Sequence, residues 1–271
     1  MSRWHGDMPL EIEATLVVLW QDPESVFGMI AGLSSIGTYR LEGAGTVTVE
    51  DTYYDTPSMS LMRSGAAVRI RRMGDLVLFC AKQDERTDAS GAATRHEWES
   101  AWSRRCIPLI TAAAAENAAE VSVDFCEDAP GRTLEQAGLR PIQTRVTVRR
   151  KIRAREGSSP GDRVVALVCL DTVSYEMPGG TFIHREIEVE ASEAPDAGHV
   201  HVITRLLQEY LGDAVKPWPH NKLITGFALQ FLESPRGSRR PGTPTRDLGP
   251  DDYKAIGTII SALQPHLQGP A

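Results

Sequence analysis

The sequence predicts an α+β fold whose strands each gather charge on one face, and three observations carry that expectation. Carboxylates alternate with apolar residues at Glu11-Ile12-Glu13, Glu97-Trp98-Glu99 and Glu186-Ile187-Glu188-Val189-Glu190. Basic residues keep the same spacing at Arg69-Ile70-Arg71 and at Arg145, Thr147, Arg149, Lys151 and Arg153. Strand-like runs come first, helix-like runs follow and strands then return, an order that points to two similar halves. Successive side chains of a strand point to opposite faces, so each run collects its charges on one side. Two arrangements satisfy this pattern. The polar faces are solvated, as on ordinary half-buried strands, or a closed barrel brings acids and bases into one polar lumen able to hold a divalent metal with a polyanion.

The elements follow in order. A first strand is expected over 9–20, opened by Glu11 and Glu13 and continued by the apolar run Leu16 to Trp20. Asp22-Pro23-Glu24 reads as a helix start, with Asp22 as cap and proline at the first helical position, leading to Ser34. Strands are expected at 45–55, 66–73, 75–83 and 93–102, with turns at Met73-Gly74-Asp75 and from Asp88 to Gly91. Residues 107–140 read as helical, from the Ala-rich run Ala112 to Ala119 and a short pattern around Leu134. Strands return at 143–155, 163–174 and 182–192, separated by Gly/Ser/Pro-rich turns. Helices follow at 199–211 and 220–232. Domain boundaries are expected as one domain over 1–233, a Pro/Gly/Arg-rich flexible linker over 234–249 and a C-terminal helical segment over 250–271. The last helix carries Ile256, Ile259, Ile260 and Leu263 on one face, suited to docking on the domain or on a partner.

Bulk properties exclude several classes. No apolar run approaches the ~20 residues of a membrane helix, and Met1 to Pro9 lacks the basic start and apolar core of a signal peptide, so a cytoplasmic protein without membrane attachment is expected. A net charge of −7 disfavours bulk electrostatic binding of nucleic acid, and no nucleic-acid partner is expected. Cys80, Cys106, Cys126 and Cys169 form no C-x-x-C pair, which argues for buried free thiols over a zinc or redox motif. Neither of the standard glycine-rich phosphate loops is present. His96, His184 and His220 read as ordinary buried or solvated histidines, Tyr54, Trp98 and Trp102 as packing, and Glu190 as a rim carboxylate.

The order of these motifs resembles the CYTH family, the triphosphate tunnel metalloenzymes. The resemblance rests on Glu11-Ile12-Glu13-Ala14-Thr15, Tyr53-Tyr54-Asp55-Thr56-Pro57, Val68-Arg69-Ile70-Arg71, Lys82 and Arg95-His96-Glu97-Trp98-Glu99. It continues through Arg145 to Arg150, Asp171, Glu186-Ile187-Glu188-Val189-Glu190 and Asn221-Lys222-Leu223. One position departs: Thr15 stands where the family pattern carries a lysine. The resemblance implies an eight-stranded antiparallel β-barrel, open as a tunnel and flanked by helices. It also implies Mg²⁺ or Mn²⁺ held by Glu11, Glu13, Glu97, Glu99, Asp171, Glu186 and Glu188, hard oxygen ligands suited to hard cations. Arg69, Arg71, Lys82, Arg95, Arg145, Arg149 and Lys222 would bind the phosphate chain, with Glu11, Glu13, Lys82 and Arg69 nearest the chemistry.

The activity that the resemblance implies is metal-dependent hydrolysis of a triphosphate: inorganic triphosphate, a nucleoside triphosphate or thiamine triphosphate. The same family includes class IV-type adenylyl cyclases, a second reading. Thr15 motivates a third, a protein that binds a phosphorylated metabolite or polyphosphate without turning it over. The family often forms homodimers, and nothing in these residues decides for or against one.

Overall fold

The structure is a computed structural model and describes residues 4, 8–88, 91–115, 123–157, 161–232 and 245–267, with the side chains of 264–267 excepted. Among them, eight long strands close on themselves antiparallel. In chain order these are β1 (Leu10–Val18), β3 (Tyr39–Asp55), β4 (Ala67–Met73), β5 (Leu76–Thr87), β6 (Ala92–Ala101), β7 (Arg140–Glu156), β8 (Val164–Met177) and β9 (Gly180–Ala191). They are arranged β1-β6-β5-β4-β3-β7-β8-β9, and β1 closes the ring by pairing with β6 through Leu10–Ala14 and with β9 through Glu13–Val17. The closed barrel is therefore the arrangement the alternating charges adopt. Short strands β2 (Ser35–Ile36), β10 (Val215–Pro217) and β11 (Thr245–Asp247) extend β3, β1 and β9.

The helices cover the outer wall and stop one end. Helix α1 (Pro23–Ala31) starts as its sequence requires, with the Asp22 carboxylate accepting the Ser25 N–H and Pro23 in the first turn. Helix α5 (Ala197–Leu211) buries Val200, Ile203, Leu207 and Leu211, one helical stripe, against the outward residues Ala14, Leu16, Val168, Leu170, Ile187 and Val189. Helices α3 (Ile107–Ala114) and α4 (Pro130–Gln136) cover Val68, Ile70, Phe79 and Ala81 on the opposite side, together with the short α2 (Ser60–Arg63). Each fully buried aliphatic side chain of these layers contributes ~1.5–3 kcal/mol.

The third apolar cluster lies inside the ring. The inward face of β1 runs Glu11, Glu13, Thr15, Val17, and that of β9 runs Glu190, Glu188, Glu186, His184, Phe182. Val17 and Phe182 join Val173, Tyr175 and Trp218 with residues of α6 (Lys222–Leu232) and α7 (Pro250–Leu267). The lumen is thus charged over one part of its length and filled by an apolar stopper over the other. Tyr175 donates to the Lys222 carbonyl at 2.7 Å, and Gln143 to the Leu223 carbonyl at 3.0 Å, which anchors the first turn of α6.

Several expectations are adjusted. The strands are not two similar halves, because five barrel strands precede α3 and α4 and three follow them. Strand β3 begins at Tyr39, six residues before the expected 45, since its early residues pair with the end of β7 rather than with β4. The turn at Gly74-Asp75 forms a two-residue hairpin with Gly74 at φ 58°, a conformation glycine adopts without a steric cost. Residues 116–122, within the expected helical stretch, and 233–244, most of the expected linker, lie outside the described residues. Thr245–Asp247, at the end of that stretch, pairs parallel with β9.

Gly226 on α6 marks how tightly the stopper is seated. A Cβ there would meet Tyr175 Cε1 at 2.5 Å and Gln143 Nε2 at 2.6 Å. Gly226→Ala is expected to push α6 off the barrel and cost ~1–3 kcal/mol, the usual range for overpacking, measured as a lower urea midpoint at unchanged m-value.

Candidate functional site

The charged part of the lumen is a cavity of about 840 Å³ lined by residues of all the barrel strands but β8's centre, by Leu167 of β8, and by the first turn of α6. Strand register decides which charges meet. Glu11 lies opposite Arg95, Lys82 opposite Glu97, Asp51 opposite Arg71 and Arg145, and Arg149 opposite Asp171. Each of these cross-strand pairs forms a contact. Arg95 reaches Glu11 at 2.6 Å and Glu13 at 2.8 Å, Lys82 reaches Glu97 at 2.7 Å and Glu11 at 3.0 Å, and Arg149 grips Asp171 through Nε and Nη2 while also meeting Glu188.

The lumen is bipolar. On β3, β4 and β7 three guanidinium groups surround one carboxylate: Arg71 at 2.8 Å, Arg145 at 3.4 Å and Arg69 at 3.5 Å from Asp51. Burial would raise the Asp51 carboxyl, but the three arginines hold it far below the usual carboxylate range. The Tyr53 hydroxyl accepts from Arg69 at 2.9 Å and from Arg145 at 2.7 Å. Against burial, those arginines pull it below the ordinary phenol value. Arg69 Nε and Arg145 Nε and Nη1 are buried donors with no hydrogen-bond partner among the described residues.

The wall formed by β1, β6, β8 and β9 is acidic, and twice it sets acid opposite acid. Asp171 faces Glu186, and this pair is neutralised from outside the sheet by Lys222 of α6, whose ammonium lies 3.1 Å from Asp171 and contacts Glu186 and Glu188. Burial would lower the Lys222 pKa, and the three carboxylates drive it well above its ordinary value instead. Glu13 faces Glu190 across the β1–β9 pairing. Here burial pushes Glu13 up to about 8, with Arg95 opposing and Glu188 and Glu11 adding, and pushes Glu190 up to about 7, with Glu11 adding. Glu11 differs: burial would raise it too, but Lys82 and Arg95 hold it well below the usual range.

The candidate residues all face into the barrel but do not meet at one point, and all but Asp171 and Glu186, which lie buried around Lys222, line the cavity. Glu11, Glu13, Glu97, Lys82 and Arg95 share a network, Asp171, Glu186, Glu188, Arg149 and Lys222 form another, and Arg69 bridges from Asp51 to Glu97 at 3.2 Å. Glu99, partly exposed, meets Arg71 at 3.5 Å and accepts from the Cys80 thiol at 3.1 Å. Cys80, Cys106 and Cys169 are buried free thiols, and Cys126 is free and partly exposed. Sequence reasoning missed Asp51 and Tyr53 as site residues, although the Val49, Asp51, Tyr53 spacing carried the same period-two signal. Glu190, read as a rim carboxylate, lines the cavity opposite Glu13.

The CYTH domain pattern matches residues 30–212, more than half of the chain. The chain belongs to the CYTH family. Similar solved structures include a candidate adenylyl cyclase from Hippeastrum with a dominant triphosphatase activity, at 16% identity and TM-score 0.49, covering 82% of this chain and 96% of that one. A candidate adenylate cyclase from Bacillus halodurans matches at 20% identity and TM-score 0.45 over 80% and 97%. The RNA triphosphatase of S. pombe matches at 10% identity and TM-score 0.38 over 75% and 84%. No curated protein sequence matches the chain. Glu11, Glu13 and Lys222 lie outside the matched residues of this CYTH protein, yet they enter the same lumen. Among the described residues, no helix is long and apolar enough to cross a membrane.

The arginine cluster gives the site an acid-sensitive element. Because the Asp51 pKa is depressed, its stabilising contribution is complete above the ordinary carboxylate value of ~4 and is lost as pH falls through the depressed value. Asp51→Asn is expected to cost ~3–5 kcal/mol at pH 7 by leaving buried guanidinium charge uncompensated, and to flatten the loss of stability below pH ~4. Urea unfolding of both proteins between pH 7 and 2 checks both effects.

Proposed function

We propose that this CYTH protein hydrolyses a phosphoanhydride bond of a triphosphate-bearing small molecule with the aid of Mg²⁺ or Mn²⁺. One observation carries the reading: buried guanidinium donors on one wall, without partners among the described residues, face a pair of under-neutralised carboxylates, Glu13 and Glu190, on the other. The first arrangement suits phosphate oxygens, which accept several N–H bonds at fixed angles. The second suits a hard divalent cation, because an all-oxygen set of acids held opposite one another is stabilised by added positive charge.

Glu13 and Glu190, with Glu11 and Glu188 beside them, would hold the metal, next to the Asp171, Glu186 and Glu188 carboxylates gathered around the Lys222 ammonium. When bound, such an ion neutralises charge on the phosphate oxygens and lowers the pKa of a bound water. The chain's own residues do the rest. Arg69, Arg71 and Arg145 bind and align the phosphate chain, and their fixed positions stabilise charge that builds during transfer without reorganising. Arg95 and Lys82 hold Glu11 ionised, and Arg149 orients Glu188. The stopper of α6 and α7 limits access to one end, so the phosphate chain lies in the lumen with any organic part toward the open mouth.

The position of Thr15 fits this reading. It stands opposite Glu188 in register, and the ammonium of Lys222 already contacts that carboxylate. Lys222, itself at a position the resemblance includes, is the ammonium that meets Glu188 in this chain.

The test is phosphate release from inorganic triphosphate, nucleoside triphosphates and thiamine triphosphate with Mg²⁺, with Mn²⁺ and with a chelator. Metal-dependent release is expected from at least one; none from any would sink the hydrolase reading, and cyclic AMP with pyrophosphate from ATP would replace it with cyclisation. Glu13→Gln is expected to lower kcat by about 10²–10³-fold, the scale of losing one preorganised electrostatic group. Thr15→Lys is expected to give no gain in rate, and a tenfold rise would show that the Lys222 ammonium alone is not sufficient at Glu188.

A further inference from the structure

His184 lies two residues before Glu186 on β9, so both side chains face into the barrel, at the boundary between the charged lumen and the apolar stopper. The imidazole is fully buried and both ring nitrogens are engaged. Nε2 is 2.6 Å from Glu186 Oε2, and Nδ1 is 2.9 Å from the Tyr253 hydroxyl oxygen on α7. That oxygen also accepts the backbone N–H of Arg185 at 3.4 Å. An ionised carboxylate only accepts hydrogen bonds, so Nε2 carries a hydrogen toward Glu186, and the Tyr253 hydroxyl is the partner of Nδ1. The resulting chain runs from Tyr253 through His184 to Glu186, and on through Lys222 to Asp171 and Glu188.

The segment bearing Tyr253 is seated on the same strand. Thr245–Asp247 pair with Thr181–Ile183, the Leu248 N–H donates to the Ile183 carbonyl at 2.8 Å, and Asp247 meets Arg185 at 3.1 Å. Tyr253 packs edge-on to Trp218, with Ile256 and Ile260 beside it in the stopper. Apolar contact alone would be served by phenylalanine. The hydroxyl is used for the imidazole.

We propose that Tyr253 and His184 are positioning residues, through which the C-terminal helix, outside the region matched to the CYTH family, sets the placement of Glu186 and of the Lys222 ammonium in the lumen. This rests on the proposed metal site only for its first readout. Outer partners of this kind typically change metal affinity or activity by about 10–100-fold when removed, and Tyr253→Phe, which deletes one oxygen and keeps the ring, should fall at the low end.

The experiment is titration of the resting full-length protein with Mn²⁺ alone, followed by electron paramagnetic resonance, with thermal unfolding of the same samples. Tyr253→Phe is expected to weaken Mn²⁺ binding about 3–10-fold at a temperature where thermal unfolding shows both proteins fully folded, and His184→Ala to weaken it further. The double variant is expected to be no weaker than His184→Ala, because both act through one ring. Unchanged Mn²⁺ affinity in Tyr253→Phe, a fall seen only where the variant is partly unfolded, or additive losses would each overturn the relay. If the wild-type protein takes up no Mn²⁺, the metal reading fails, and crystal structures of wild type and Tyr253→Phe decide the relay alone. A Glu186 carboxylate shifted from its place supports it, and an unmoved one overturns it.

Discussion

Strand register inside a closed lumen is the constraint on which the rest of this structure depends. A carboxylate or guanidinium taken out of water loses several kcal/mol of solvation unless opposite charge stands within contact distance. In a barrel the nearest groups on the same face belong to the neighbouring strands at positions set by pairing. Glu11 with Arg95, Lys82 with Glu97, Asp51 with Arg71 and Arg149 with Asp171 are all direct cross-strand partners. A slip of one residue on any of these strands would turn its charges into the helical layers and its aliphatic residues into the lumen. Fold and site are specified by the same alternation.

The places where register sets like charge against like are then informative. Between β8 and β9, Asp171 and Glu186 are answered by Lys222, a residue delivered by a helix rather than by the sheet. Between β1 and β9, Glu13 and Glu190 have Arg95 beside Glu13 alone, and Arg95 is shared with Glu11 and Glu85. On the opposite wall Asp51 is shared by three arginines. Carboxyls with little compensating positive charge on one wall and buried guanidinium donors on the other are the features on which the proposed cation and anion sites rest. Proteins bury such imbalance at sites that bind something, because uncompensated buried charge is otherwise strongly destabilising.

The periodicity of single strands made much of this legible in the sequence, while contacts between distant segments hid the rest. Sequence patterning located all eight barrel strands, period-two runs on five of them gathered Glu11, Arg69, Arg95, Arg149 and Glu188 on shared faces, and the motif order supplied ring closure that no single run could show. Asp51 was missed because Glu50 beside it puts an acid on the opposite face as well, which hid its place in the Val49, Asp51, Tyr53 spacing. Strands β10 and β11 are three residues each and carry no period. His184 had no sequence signal as a site residue: its partner Tyr253 lies 69 positions away and meets it only once α7 is folded into the barrel's end.

Position 15 lies where the polar lumen meets the apolar stopper. The inward face of β1 passes from Glu11 and Glu13 through Thr15 to Val17, which is buried in the stopper, so residue 15 stands at the edge of the polar region. An ammonium carried on β1 would be fixed by the sheet alone. In this chain the ammonium at Glu188 comes from the first turn of α6, whose own placement is held by Tyr175 and Gln143 and by the close approach at Gly226. The electrostatics of the lumen are therefore coupled to the seating of the C-terminal helices. With a lysine at 15 in addition to Lys222, two ammonium groups would compete for Glu188 in a low-dielectric space, where like charges a few ångströms apart repel far more than in water.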